Sequence, residues 1–422
     1  MADTTLTPAG RASLMWRSLA PWVRVLVVYA TARALTTALM LLSSAMAPAD
    51  GRHGANPPLR AYVVGWDGAW YREIALNGYP TVLPTNDAGQ VVENAWAFMP
   101  VYPFLARLLA ALVPGAGFGS DDVWAVAGAW AWCALLISLL AGYGACFVLY
   151  ALLRHRLGAS AAMWAVALFA CNPFALLFQV AYAESLFLLL IFCAILCLEH
   201  RRWWFLYPLA IVMAFTRPGE LALPLTVALF GIWRLFHRRE QPLHRAEVAH
   251  ILGVGAVGTA AGFAWPVIVT AVTGSATGYL DTELAWRRGW VDGAEGFFPG
   301  EGWIHGAQAW AGIWGVPTGL VLALVLVLAV GAVGVFFTPA VRRLSLEARL
   351  WCASYLVYVA LVVFPQSSAP RLLLPVAILC GAVAAIPLGR FARLTVLLGS
   401  IALQFVWLHG TYGIGNTYYL VP

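Results

Sequence analysis

The chain has 422 residues, 62% of them hydrophobic and only 10% charged. Apolar stretches repeatedly reach ~18 residues, the length a helix needs to cross a bilayer, so a soluble globular fold is excluded and an all-α polytopic membrane protein is expected. The net charge is +6 with arginine as the only strongly basic residue, and the arginines are scattered between apolar spans, a pattern that speaks against a nucleic-acid partner.

The first apolar run, 21–46, is too long for a signal-peptide core, and no small-residue cleavage pattern follows it. It is expected to be the first transmembrane helix. Further runs lie near 123–153, 160–180, 182–199, 203–217, 219–236, 250–273, 317–338, 350–364, 369–388 and 391–409. Together they suggest about eleven helices in one domain covering residues 1–422. With the N-terminus in the cytoplasm and strict alternation, the inner connections collect Arg154 and Arg156, Arg201 and Arg202, Arg234 to Arg245, Arg342 to Arg349, and Arg390 with Arg393. That is the bias of the positive-inside rule, and it puts the C-terminus outside.

Two outer segments are long. The first, residues 47–122, holds a polar and aromatic island running from Gly65 through Trp66, Asp67, Trp70 and Tyr71 to Pro80. It also holds an apolar piece from Phe98 to Leu109 that includes Tyr102 and is too short to span, as expected of an interfacial or re-entrant helix. The second, residues 274–316, is rich in tryptophan and carries Asp281, Glu283, Arg287 and Arg288. Such tryptophans suit the headgroup belt and suit sugar stacking equally.

The seven cysteines all fall in apolar runs, which suits packing and not a disulfide framework or a metal site. Between Gly253 and Gly258 the spelling of a dinucleotide fingerprint occurs inside an apolar run, without the strand and helix start that motif needs. It reads as a small-residue packing face, continued by Gly262. No P-loop or zinc-type His pair is present, and neither cofactor nor metal is expected.

The polar residues at or near the outer face, most of which flank apolar runs, are the functional candidates, since ionisable groups in such positions are costly unless paired or facing a wet cavity. Asp67 comes first, as a general base in an aromatic-walled cleft; the plainer alternative is an acid at a Trp-Asp-Gly turn. Glu184 opens an apolar run, where the helix dipole alone would favour an acid, or where it could hold Asp67 or an arginine in place. Arg217 and Arg371 could snorkel to the interface or bind a phosphate through forked hydrogen bonds. Trp66, Trp70, Tyr71, Tyr102 and Tyr182 complete the set as substrate-binding aromatics.

The stretch Trp66-Asp67-Gly68-x-Trp70-Tyr71-x-x-Ile74-Ala75-x-x-Gly78-Tyr79 resembles the first outer-loop motif of PIG-V-like mannosyltransferases, the GPI mannosyltransferase 2 family. Further similar stretches follow in order. They are Ala97 to Pro103, Asn172-Pro173, Tyr182-x-Glu184-Ser185-Leu186-Phe187, Thr216-Arg217-Pro218-Gly219, and Arg371 near Pro375. The resemblance implies a GT-C type fold, with mannose taken from a polyprenyl-phosphate carrier on the extracytoplasmic face and passed to a glycan or glycolipid acceptor. Asp67 holds the position of the catalytic acid. The rival expectation from the residues is a transporter or flippase of lipid-linked sugar, which would place polar groups through the membrane midplane.

Overall fold

The computed structural model describes residues 15, 16, 18–291 and 296–422; residues 1–14, 17 and 292–295 lie outside it. Among the described residues the chain is all-helical, with one isolated β-bridge, Thr85 to Val91, in the first outer segment. Five helices among the described residues are long and apolar enough to cross a membrane.

The first is α1, Pro21–Met46. Pro21 sits at its first position, where the missing N–H costs nothing. Val25, Tyr29, Ala32, Arg33, Thr36, Met40 and Ser43 recur every three or four residues and form its buried face. The opposite face exposes Trp22, Leu26, Leu41 and Leu42. A helix apolar on both faces belongs in lipid.

The first outer segment contributes α2, Asp67–Asn77, and α3, Val101–Ala110. The second spanning helix, α4, runs over Val123–Leu157 and starts with Asp122 capping the N–H groups of Trp124 and Ala125. It continues past the expected end at residue 153 and takes Arg154 and Arg156 into its last turn, where cations suit the helix dipole. Helices α3, α5 (Ala159–Ala170) and α6 (Glu184–Glu199) all pack against α4, which is the central pillar.

The apolar run 160–180 is not one helix. It stops at Ala170, because Asn172 turns the chain through hydrogen bonds to Phe169 O and Phe174 N, and Pro173 follows. A 3₁₀ turn, Ala175–Phe178, then carries the chain through the protein interior to Glu184. Breaking a helix inside apolar surroundings frees carbonyl groups that need donors. Arg33 of α1 supplies them: its guanidinium donates to Ala170 O at 2.6 Å, to Ala175 O, and to Gln179 Oε1 at 3.3 Å. Arg33→Leu is therefore expected to strip three buried acceptors at about 1–3 kcal/mol each, seen as a marked drop in unfolding temperature in detergent.

The chain continues with α7, Trp203–Ala214, α8, Ala222–Phe236, and the third spanning helix α9, Arg245–Thr273. Of the α9 glycines, Gly253, Gly258 and Gly262 pack closely on neighbouring side chains, while Gly255 faces open space. A Cβ on Gly262 would fall 2.4 Å from Leu221 Cδ2 and 2.7 Å from Glu220 Oε2, so only glycine admits this approach. The second outer segment forms α10, Gly278–Arg288, and α11, Glu301–Trp314. The spanning helix α12, Thr318–Val335, exposes leucine and valine nearly all round. Helix α13, Leu346–Val362, is followed by a 3₁₀ segment, Ala369–Leu379, and the last spanning helix α14, Arg390–Leu408, runs on into a π-turn through Ile414. Pro375, inside the 369–379 segment, removes an α-helical donor there, while Pro370 sits in its first turn. Tyr355 Oη and Trp351 Nε1 of α13 donate to its Leu372 and Pro375 carbonyls at 2.9 Å each.

Candidate active site

Asp67 is the first residue of α2, at the positive end of the helix dipole. Its backbone N–H donates to Tyr182 Oη at 3.2 Å, and Ala181 N donates to Val63 O at 2.8 Å. Those two bonds dock the start of α2 onto the buried segment before α6. Gly68 permits the approach, since a Cβ there would lie 3.4 Å from Ala181 O and 3.3 Å from Val63 O. The Trp-Asp-Gly spelling is thus a helix start pressed against backbone, not a loop turn.

Glu184 is the first residue of α6 and is only 3% exposed. Arg217 comes from the break between α7 and α8, and Arg371 from the 369–379 segment. The four groups meet. Arg371 Nη1 lies 2.7 Å from Asp67 Oδ2 and 3.2 Å from Glu184 Oε1, while Arg217 Nη1 contacts the same Glu184 Oε1. The charges alternate as Asp67, Arg371, Glu184, Arg217. The Arg371 guanidinium also lies over the Tyr182 ring, 5.3 Å from its centroid.

A cavity of about 230 Å³ opens at this chain of charges. Asp67, Arg217 and Arg371 line it; Glu184 does not, and stands behind the two arginines as their shared counter-ion. Asp67 keeps Oδ1 free of any hydrogen bond to another described residue. A carboxylate beside two forked cations, at the edge of a cavity, can take a proton from one partner while the cations take up negative charge on another.

The aromatic candidates divide. Tyr71 lines the cavity. Trp70 stacks on Phe98, with ring centroids 5.8 Å apart, and meets Trp286 edge-on. Phe98 and Trp286 are cavity-lining, so Trp70 backs the wall without forming it. Tyr102 is fully buried under α4 and hydrogen-bonds Ala134 O at 2.9 Å and Ser138 Oγ at 2.8 Å. Tyr182 is fully buried as a support for Asp67 and Arg371. Trp66 does not line this cavity; it faces a neighbouring one.

Sequence reasoning passed over one acid. Glu283 of α10 lines the same cavity, with Trp286, Arg287, Tyr355 and Tyr358. The signal was the 279, 283, 286 spacing, which puts Tyr279, Glu283 and Trp286 on one helical face. Burial pushes the Glu283 carboxyl up to about 7, against the pull of Tyr279 and Arg287 in the other direction. A proton held more tightly in the folded state stabilises the fold below the ordinary carboxylate range, and that contribution is lost as pH rises through about 7. Wild-type unfolding temperature is expected to fall between pH 5 and 8, by on the order of 1–2 kcal/mol in stability. Glu283→Gln, which cannot ionise, should flatten that profile; an unchanged slope would show that Glu283 does not carry it.

Among the described residues no three His, Cys, Asp or Glu side chains are grouped as they would be to hold a metal ion, and all seven cysteines are free. In comparisons with protein families and with curated proteins, nothing matches this chain.

Proposed function

We propose that this chain is a membrane glycosyltransferase of the GT-C type, with about eleven membrane passages counting the shorter apolar helices. It moves mannose from a polyprenyl-phosphate donor to a glycan or glycolipid acceptor on the extracytoplasmic face. The observation that carries the reading is one cavity lined by a carboxylate with an unengaged oxygen, Asp67, and by two arginines held from behind by a buried glutamate. Mannose as the sugar rests on the resemblance of the Trp66 to Tyr79 stretch and its ordered companions.

In this mechanism Asp67 Oδ1 takes the proton of an acceptor hydroxyl. The hydroxyl oxygen forms its bond to C1 of the sugar as the bond from C1 to the phosphate oxygen breaks on the opposite side. The electron pair leaves with the polyprenyl phosphate, whose charge Arg371 and Arg217 stabilise. The anomeric configuration inverts. No nucleotide takes part.

The test uses purified full-length protein in detergent, polyprenyl-phosphate mannose and a panel of glycolipid acceptors, with mass spectrometry of the lipids. Gain of one hexose, lost in Asp67→Ala, is the expected result. Saturable donor binding without transfer to any acceptor, unchanged in Asp67→Ala, would instead favour movement of the lipid-linked sugar across the membrane.

A further inference from the structure

Trp66 and Asp67 are consecutive, yet they serve different cavities. Asp67 lines the one described above. Trp66 lines a second, of about 300 Å³, with Arg52, Gly415, Asn416, Thr417 and Tyr418. Val421 lines both, so the two cavities adjoin at that residue.

The second cavity is built, not incidental. Trp66 has φ +52° and ψ −123°, a conformation that non-glycine residues rarely adopt. Its indole N–H donates to Thr411 O at 3.1 Å. Gly415, at φ +50°, lies so close that a Cβ would come within 3.0 Å of the Trp66 ring. The surrounding chain thus enforces an orientation that the local backbone resists.

Arg52 lies over that ring, its guanidinium carbon 3.6 Å from the centroid, and its backbone N–H donates to Ile414 O at 2.7 Å. It makes no ion pair among the described residues. A stacked guanidinium keeps its edge free, and that edge is a fork shaped for phosphate or carboxylate.

We infer that the Arg52–Trp66 cavity is the acceptor subsite, and that it takes a sugar bearing a negatively charged group such as phosphate. The inference rests on the glycosyltransferase reading for the word acceptor, and on Arg52 and Trp66 for the chemistry. The anion sits in the Arg52 fork and the sugar against the aromatic wall. In this arrangement the attacking hydroxyl extends towards Asp67 across the boundary that the two cavities share at Val421. Ser367 Oγ pins Val421 by donating to its carbonyl at 2.8 Å and accepting its N–H at 3.1 Å.

Calorimetric titration of the full chain in an uncharged detergent tests this without any donor, so its outcome is independent of whether transfer occurs. The probes are mannose 6-phosphate, mannose and inorganic phosphate. Mannose 6-phosphate is expected to bind at least about tenfold more tightly than either fragment, and Arg52→Gln to remove that advantage. Arg52 is exposed, so the substitution leaves the interior intact; Arg52→Lys, with charge but no fork, should fall between.

Saturating farnesyl phosphate, a short stand-in for the donor, should leave mannose 6-phosphate binding unchanged. Competition between the two would put the anion in the Asp67 cavity and overturn the inference. So would unaltered affinity in Arg52→Gln, or inorganic phosphate binding as well as the sugar phosphate. Displacement by phosphatidylglycerol micelles would assign the cavity to a lipid headgroup and overturn it as well. Intact sugar-phosphate binding in a protein that transfers nothing would sink the enzyme reading alone.

Discussion

Asp67→Asn is expected to lower hexose transfer by ~10²–10⁴-fold, the usual contribution of a general base, with the fold kept. Asparagine matches aspartate in shape but cannot accept the hydroxyl proton. It also removes the carboxylate that sits 2.7 Å from Arg371, leaving that arginine to Glu184 and to the incoming phosphate. The donor KM should therefore stay level or fall while kcat drops, a split that general loss of structure would not produce. Product mass spectrometry over a donor titration reads both. Near-wild-type kcat would remove Asp67 as the base. Among the described residues the cavity then holds one other lining carboxyl, Glu283, poised near neutrality by burial.

The charged core of the site was legible because charge is expensive where these residues lie. Glu184, Arg217 and Arg371 each lie at an apolar run, where the cost of leaving them unpaired singles them out, and Asp67 stands out as an acid in the aromatic island of the first outer segment. Their convergence depends on the chain path, which hydropathy does not encode. The division of the aromatics was hidden for a more local reason. One residue with positive φ, Trp66, separates its own side chain from that of Asp67, and no sequence pattern announces it. The runs 160–180 and 369–388 looked like single helices because their composition is apolar throughout. The breaks at Asn172-Pro173 and at Pro370 and Pro375 are tolerated because Arg33, Trp351 and Tyr355 reach across to the freed carbonyls. That compensation comes from elsewhere in the chain, so the local sequence could not reveal it. Glu283 escaped because a polar outer helix makes an acid unremarkable until its neighbours are seen to bury it.

Glu184→Gln should produce the largest loss of stability among single changes at the site, on the order of 3–5 kcal/mol, as expected when a buried pair loses one member. Its Oε1 serves Arg217 and Arg371 together, and its Oε2 has no hydrogen-bond partner among the described residues, so one oxygen carries the electrostatic burden. Arg371 would retain Asp67; Arg217 would retain no anion among the described residues. The double variant Glu184→Gln with Arg217→Gln separates scaffold from chemistry. Removing both members of the Glu184–Arg217 pair leaves no orphaned charge, so unfolding temperature should recover most of what the single variant lost. Transfer should not recover, because Arg217 lines the cavity where the phosphate departs, as Arg371 and Arg287 do. Stability and activity restored together would mean that Arg217 serves only to neutralise Glu184. Stability restored alone would leave Arg217 a direct role in the reaction, with Glu184 the residue that holds it in place.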